Sequence, residues 1–600
     1  MLRLNKEHIQ HKLSFIAQYL TASNAADGAR LDANANVTNK NIATLEAELM
    51  KDYFIQINRA QVTDKITQLF DRQLADEYLR QIEAHEIYVH DETSLKPYCA
   101  SITMYPFLLD GLTTLGGESK APKHLESFCG SFVNLVFAIS AQFAGAIATV
   151  EFLTYFDHFA RKDYGDNYLE THRKKIENHL QHVVYALNQP AAARGYQSVF
   201  WNISIYDQYY FEALFGDFKF PDMSRPEWTH IDSLQRFFMD WFNQERCKSI
   251  LTFPVVTAAM LTEDSAVKDG DFADFCAEEI SKGNAFFVYQ SENADSLASC
   301  CRLRNAISDN TFSYSLGAGG IATGSVNVIT LNMNRLVQDG RDLAEEVQKI
   351  QKYQLAYRRL MEDYQAQGAL PAYDAGFISL QKQFLTIGIN GMAEAAEYMG
   401  LAPGNNAPYK AFVQEKLKVI YDANREAGKR YGCLFNTEFV PAENLGVKNA
   451  KWDKEDGYQT NRDCYNSYFY LVEDDKTNHL DKFILHGEEL IQYLDGGSAL
   501  HLNLEEKLSK TNALRLLNIA AQTGCNYFCI NIKITICNSC QNIDKRTLSR
   551  CPACGSGNVD HGTRIIGYLK RVSAFSEARR HEHKLRHYHR QPKAESAVSG

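Results

Sequence analysis

Residues 537–569 decide the fold, and they read CNSCQNIDKRTLSRCPACGSGNVDHGTRIIGYL. The first half holds two Cys-x-x-Cys pairs with ten residues between them, formed by Cys537, Cys540, Cys551 and Cys554. Two such pairs bring four thiolates within tetrahedral reach of one metal ion, as in a zinc ribbon. Zinc is favoured over iron because the chain has no ferredoxin-like spacing. Four protein ligands leave no open position, so we predict a structural zinc site.

The second half of this stretch places a glycine in an apolar run. Gly567 lies in Arg564-Ile-Ile-Gly-Tyr-Leu569. A glycine in such a run usually marks a bulge or a close approach of two backbones. Taken alone, Gly567 indicates no function. Its position directly after the cysteine pairs makes it a candidate functional residue.

Length, charge and cysteine content limit the class of protein. The chain has 600 residues, which is too long for one ordinary domain. Lys and Arg total 63 against 73 Asp and Glu, and this net charge of −10 argues against nucleic-acid or membrane partners. The sequence has no apolar run of transmembrane length and no secretory signal, so we expect a cytoplasmic protein. Its 14 cysteines then do not form a disulfide framework.

Hydrophobic patterning divides the chain into regions. Residues 1–85 predict an N-terminal helical region, because apolar residues recur at three- and four-residue spacing. In residues 86–530, short apolar runs alternate with long amphipathic segments such as 342–367 and 410–429. This alternation predicts an α/β architecture with much parallel pairing, as one large barrel or one large wound sheet.

The last part of the chain has a different character. Residues 531–560 predict the zinc ribbon. Residues 561–600 hold the glycine segment and a basic, His-rich tail.

The combination of zinc ribbon and Arg-x-x-Gly-Tyr-Leu near the C-terminus resembles the anaerobic (class III) ribonucleoside-triphosphate reductases, a family of glycyl-radical enzymes. The resemblance covers roughly residues 80–590. It implies a ten-stranded α/β barrel of two halves, and reduction of ribonucleoside triphosphates to 2′-deoxyribonucleoside triphosphates. It also implies a radical on the α-carbon of Gly567. Glycine suits that role, since without a side chain its α-carbon can become planar. Such a radical reacts with oxygen, which restricts function to anaerobic conditions.

The same resemblance assigns cysteines to the chemistry at the sugar. Within Ser299-Cys-Cys-Arg302, alignment on the arginine selects Cys301 as the thiyl residue that takes the 3′ hydrogen, with Cys300 as the alternative. The segment HEIYVHDETSLKPYCA resembles a family strand and makes Cys99 the hydrogen donor at the 2′ position. Taken singly, each of these residues is also compatible with a buried structural thiol.

Three further segments resemble the family, namely 324–332, 436–443 and 492–497. Polar side chains in the second of them would hold the ribose hydroxyls, and Asn436 and Glu438 are the candidates. The alternative for both is ordinary loop polarity.

Partners and cofactors follow from the resemblance as well. A separate activase with a [4Fe–4S] cluster and S-adenosylmethionine would generate the glycyl radical. A homodimer would bind the substrate triphosphate and, as effectors, dNTPs or ATP. The Val-x-Lys-Arg-Asp-Gly stretch of an ATP cone is not found in the sequence, so we expect no overall ATP/dATP switch.

The reductant is either formate or a thioredoxin-like dithiol protein. Formate users tend to carry an asparagine just before the strand GSVNVITLN, and the position matched to it in this chain is Ser325, the second residue of that segment. Cys99 and the 300–301 pair would allow a disulfide, so the dithiol protein is favoured.

Two other classes of protein stay open. A different glycyl-radical enzyme, of the lyase or dehydratase type, would share the barrel and the late glycine but lacks a zinc ribbon before it. A non-enzymatic zinc-ribbon protein that binds nucleic acid would want a basic, aromatic face, and the chain is acidic.

Overall fold

The computed structural model describes residues 5–25, 39–191, 197–294, 296–298, 304–306, 321–440, 445–564 and 569–589. The α-helices are Lys6–Thr21, Ile42–Leu69, Arg72–Glu83, Tyr105–Asp110, Leu125–Ser140, Phe152–Tyr164, Tyr168–Thr171, Arg173–Leu187, Gln208–Phe215, Trp228–Glu245, Gly270–Ser281, Met333–Gln338, Leu343–Ala366, Pro371–Asp374, Met392–Tyr398, Ala407–Tyr431, Leu445–Glu455, His479–Leu485, Glu488–Ile491, Lys510–Thr523 and Glu577–Leu585. Short 3₁₀ helices are Thr113–Leu115, Leu380–Lys382 and Val572–Ala574. None of the described helices is long and apolar enough to cross a membrane.

The strands are β1 (Ile87–Val89), β2 (Cys99–Ser101), β3 (Ile147–Ala148), β4 (Trp201–Tyr206), β5 (Val255–Glu263), β6 (Ala266–Val267), β7 (Phe287–Ser291), β8 (Ser296–Ala298), β9 (Arg304–Ala306), β10 (Thr323–Asn332), β11 (Gln383–Asn390), β12 (Leu434–Glu438), β13 (Leu500–Leu504), β14 (Tyr527–Ile532), β15 (Ile534–Cys537), β16 (Ile543–Asp544), β17 (Val559–Arg564) and β18 (Leu569–Arg571).

Ten of these strands form a closed ring. They follow the order β12-β11-β10-β2-β3-β4-β5-β7-β14-β13. Pairing is antiparallel only where β10 meets β2 and where β7 meets β14, so two halves of five strands run in opposite directions. A bridge between Glu438 and Gly497 brings the two ends of the path together. The ten-stranded barrel that the resemblance implied is therefore confirmed, whereas hydrophobic patterning had left a wound sheet open.

The register of the sheet identifies the side chains that face the barrel lumen. Trp201 points outward, because its indole Nε1 donates to Thr149 Oγ1 at 2.8 Å and its ring packs against Phe152 of a covering helix. Side chains alternate along a strand, and directly paired residues share a face. Carrying this rule from strand to strand assigns to the lumen Cys99, Ser101, Asn202, Ser204, Thr257, Phe287, His501, Cys529 and Asn531.

Two long helices cover the strands β10–β12. Leu343–Ala366 starts at Asp342 and Ala407–Tyr431 starts at Asn406, and each of these side chains accepts a backbone N–H of the first turn. Such a cap stabilises a helix by about 1 kcal/mol. The second helix ends at Gly432, whose φ of 63° suits a residue without a Cβ.

A separate four-stranded sheet has the order β16-β15-β17-β18. This sheet joins the cysteine pairs to the glycine segment within residues 537–569. Strand β15 ends at Cys537 and pairs with β17, and β17 pairs with β18. Ile534, Ile536, Ile543 and Leu569 form its own small apolar core, apart from the large core of the barrel.

Candidate functional site

The four predicted zinc ligands lie together. The Sγ atoms of Cys537 and Cys554 are 3.6 Å apart, as are those of Cys540 and Cys551, and all four lie within 4.8 Å of one another. A tetrahedral zinc ion with Zn–S bonds of about 2.3 Å requires sulfur–sulfur separations of about 3.8 Å. Gly555, at a φ of 70°, makes the tight turn after the second pair. The donor set and its geometry therefore fit a structural zinc ion.

The zinc ligands and the glycine segment belong to one sheet. Strand β17 pairs with β15 next to the metal site, with Val559 opposite Cys537. Its last residue, Arg564, pairs with Leu569 at the start of β18, and both are buried. Gly567 itself lies outside the described residues, within the four-residue connection between these two strands.

Cys99 is held by close backbone packing. Its strand β2 lies between β10 and β3, and Cys99 pairs with Ser325 of β10. Gly324 lies so close to this strand that an added Cβ would overlap the carbonyl oxygen of Cys99. The same carbonyl accepts a hydrogen bond of 3.1 Å from Gln383 Nε2. The buried thiol consequently has a fixed place on the lumen face.

Asn436 and Glu438 also face the lumen. Between them, Thr437 Oγ1 accepts a hydrogen bond of 3.0 Å from Asn424 of the covering helix, so Thr437 points outward and its two neighbours inward. Asn436 is fully buried, and neither atom of its amide has a hydrogen-bond partner among the described residues. Buried polar groups are nearly always paired, so an unpaired amide facing a lumen is typical of a ligand site.

Patterning did not single out several other polar residues of the lumen. Ser101, Asn202 and Ser204 are buried there, and Ser101 Oγ, Asn202 Nδ2 and Ser204 Oγ have no partner among the described residues. The available signal was a polar residue at alternate positions of a buried strand, as in WNISIY. Cys529, to which sequence analysis assigns no role, also lines the lumen.

The remaining candidates divide into two groups. Cys300 and Cys301, like Gly567, lie outside the described residues. Ser325 is described and buried, and its hydroxyl lies 2.8 Å from Thr386 Oγ1.

The chain matches known proteins over almost its whole length. The family model for anaerobic ribonucleoside-triphosphate reductase matches residues 46–589. A solved anaerobic ribonucleotide reductase is 28% identical with a TM-score of 0.84, over 98% of this chain and 93% of that one. The enzyme from Thermotoga maritima with glycerol in the active site is 28% identical with a TM-score of 0.82, over 96% and 94% of the two chains.

The Thermotoga maritima enzyme in complex with dATP and CTP is 27% identical with a TM-score of 0.81, over 97% of this chain and 100% of that one. No curated protein sequence matches significantly. The family match spans far more than half of the chain, and the solved relatives share the barrel. On this evidence the chain belongs to the anaerobic ribonucleoside-triphosphate reductase family.

Proposed function

We propose that this chain reduces ribonucleoside triphosphates by a radical that passes from Gly567 to Cys301 and then to the substrate. The thiol hydrogen of Cys301 moves to the Gly567 α-carbon. The Cys301 thiyl radical then takes the 3′ hydrogen of the ribose. The 2′ hydroxyl leaves as water, Cys99 supplies the hydrogen that replaces it, and Cys301 returns the 3′ hydrogen. The net change consumes two electrons and two protons, which the reductant supplies.

This proposal rests on the lumen position of Cys99 in the same barrel whose wall binds the base of the glycine hairpin. The glycine hairpin is the antiparallel pair of strands β17 and β18 on either side of Gly567, and its base is the pair Arg564 and Leu569. The unpaired amide of Asn436 supports a role in binding a ribose hydroxyl, and Glu438 lies on the same face. Family membership favours this reaction over that of a lyase or dehydratase.

The nucleotide ligands rest on the solved relatives. The Thermotoga maritima enzyme has been solved with dATP and CTP, and with dATP in its specificity site. By this likeness, triphosphates serve here as substrate and effectors; that the acting unit is a homodimer rests on the family resemblance alone. A separate activase that uses S-adenosylmethionine generates the radical on Gly567.

The zinc ion has a structural role in this proposal. Cys537, Cys540, Cys551 and Cys554 would hold it, and it would supply cross-linking of the two turns rather than chemistry at the substrate.

A dithiol protein is the favoured reductant. Ser325 lies on β10 directly opposite Cys99, and its hydroxyl is within hydrogen-bond distance of Thr386. In this chain the position that would hold an asparagine in formate users is thus occupied by a short side chain with its own partner. Turnover of activated protein with formate alone, without a dithiol protein, would contradict this choice.

Electron paramagnetic resonance after anaerobic activation tests the radical. We expect a doublet, from coupling to the one remaining α-hydrogen, that is absent in Gly567→Ala. Cys301→Ser should keep the doublet and lose all turnover. Absence of any radical in the wild-type chain with a competent activase would overturn the proposed function.

A further inference from the structure

The base of the glycine hairpin is held by a side chain of the barrel wall. Asn531 Nδ2 donates to the carbonyl oxygen of Arg564 at 2.8 Å, and the Arg564 N–H donates to Asn531 Oδ1 at 3.1 Å. The amide thus pairs with both backbone groups of one residue, as a neighbouring strand would. Asn531 lies on β14, faces the lumen and is buried.

The orientation of this amide is fixed by further contacts. Asn531 Nδ2 also donates to Asn503 Oδ1 on the adjacent strand β13 at 2.7 Å, so both of its donor hydrogens are used. Asn531 Oδ1 accepts a second hydrogen bond, of 3.3 Å, from Thr563 Oγ1. An amide with every donor engaged inside a barrel wall is a rigid support.

The C-terminal tail holds the same carbonyl from another side. Arg586 Nη1 donates to the Arg564 carbonyl oxygen at 3.1 Å, and its Nη2 donates to Glu582 Oε1 at 2.6 Å. Arg586 and Glu582 are both buried. The tail is itself tied to the barrel, because the backbone N–H of His589 donates to the carbonyl oxygen of Asn503 at 3.0 Å.

The side chain of Arg564 adds a third attachment. Its guanidinium donates to the carbonyl oxygen of Ala285 at 2.8 Å and lies over the ring of Phe287, with 5.1 Å from Cζ to the ring centroid. Phe287 is a lumen residue of β7. Barrel and tail together therefore fix the paired base of the hairpin against the barrel wall.

We propose that Asn531 and Arg586 are positioning residues, which fix the base of the hairpin and thereby the distance over which the radical passes from Gly567 to the loop cysteine. This inference rests on the proposed function. Only four residues separate the paired ends Arg564 and Leu569, so a shift of the base moves the glycine with it. Hydrogen-atom transfer needs near contact, and a displacement of about 1 Å in a reacting group costs about 100-fold in rate.

The test compares Asn531→Leu and Arg586→Met with the wild-type chain, both of which keep the side-chain volume. The control is Arg335→Met, because Arg335 is similarly buried but pairs with Asp453 and Asp456 rather than with the hairpin. Spin counting by electron paramagnetic resonance gives radicals per chain, and turnover is divided by that number. We expect turnover per radical to fall about 100-fold in both test variants and to stay within about twofold of wild type in the control.

Hydrogen–deuterium exchange of the unactivated chains provides a second measurement that needs no radical. Exchange should rise in the peptide that spans residues 560–575 in both test variants and remain at the wild-type level in the barrel strands. Unchanged hairpin exchange, or unchanged turnover per radical, would overturn the positioning role. Absence of the doublet in the wild type would instead overturn the proposed function, so the two failures are distinguishable.

Discussion

Gly324 has a role that only a residue without a side chain can fill. An added Cβ would overlap the carbonyl oxygen of Cys99 and lie 3.0 Å from the Cα of Ala100. Both neighbours are barrel backbone and cannot rotate away. We expect Gly324→Ala to lower the free energy of unfolding by about 3 kcal/mol, and to reduce turnover because the Cys99 thiol shifts. Denaturant unfolding and activity of the anaerobic protein measure the two effects.

Gly130→Ala is the matched control for that substitution. Gly130 lies in the helix Leu125–Ser140, and an added Cβ there meets no atom within 4 Å. Alanine is the better helix former by about 1 kcal/mol, so this variant should be at least as stable as the wild type. If Gly324→Ala were equally stable, the close approach of β10 to Cys99 would be wrong.

At the scale of elements, we expect acid to weaken the docking of the C-terminal tail, residues 577–589. Burial, with help from the Lys482 ammonium, lowers the pKa of His479 to about 4 and that of His589 to about 3. Burial and Arg586 lower the pKa of His583 to about 4. An exposed histidine has a pKa of about 6.5. These neutral imidazoles therefore stabilise the docked tail fully above pH 6.5, and that stabilisation is lost as the pH falls towards 4.

Hydrogen–deuterium exchange against pH measures this release. After correction for intrinsic rates, exchange in residues 577–589 should rise between pH 6.5 and 4. The barrel segment around Glu151 serves as the internal reference, because burial raises the pKa of that carboxyl to about 8 and its protonation in acid therefore removes no stabilisation there. His589→Gln should flatten the profile, and a tail whose exchange is independent of pH would contradict the prediction.

The sequence predicted long elements better than short ones. Periodicity located the covering helices Leu343–Ala366 and Ala407–Tyr431 to within a few residues, since a helix of six or more turns repeats its apolar face many times. Strands β2 and β3 have only three and two residues and leave no periodic signal, although β2 carries Cys99. Cys99 was reached through family resemblance rather than through pattern.

At the scale of the whole molecule, barrel closure was beyond any local pattern. The ring closes where the backbone of Gly496 donates to the carbonyl oxygen of Thr437 at 2.8 Å, and Thr437 N–H donates to Asp495 Oδ1 at 2.9 Å. These partners lie about sixty residues apart in sequence, and backbone contacts of that kind carry no hydrophobic period. The hydrogen bond from Asn531 to Arg564 joins the barrel to the four-stranded ribbon sheet β16-β15-β17-β18, and it too is a contact that no hydrophobic period predicts.

The separate apolar core of the ribbon sheet predicts what loss of zinc does. The ribbon sheet has its own small core of Ile534, Ile536, Ile543 and Leu569, too little to hold a fold without the metal. Structural zinc contributes about 10–16 kcal/mol of folding free energy in ribbon-sized units. Chelation should therefore disorder the ribbon sheet and leave the barrel folded.

Leu569 belongs to that core and also pairs with Arg564 at the base of the hairpin. Chelated protein should therefore form no doublet at Gly567 and show no turnover. The urea midpoint of the barrel should be unchanged, and exchange should increase only in the peptides of β15–β18. Restored zinc should recover the radical in the wild type but not in Cys540→Ser, which lacks one ligand. A chelated chain that still formed the radical and turned over at the wild-type rate would show that the ribbon does not support the hairpin, and the shared sheet would then have no consequence for catalysis.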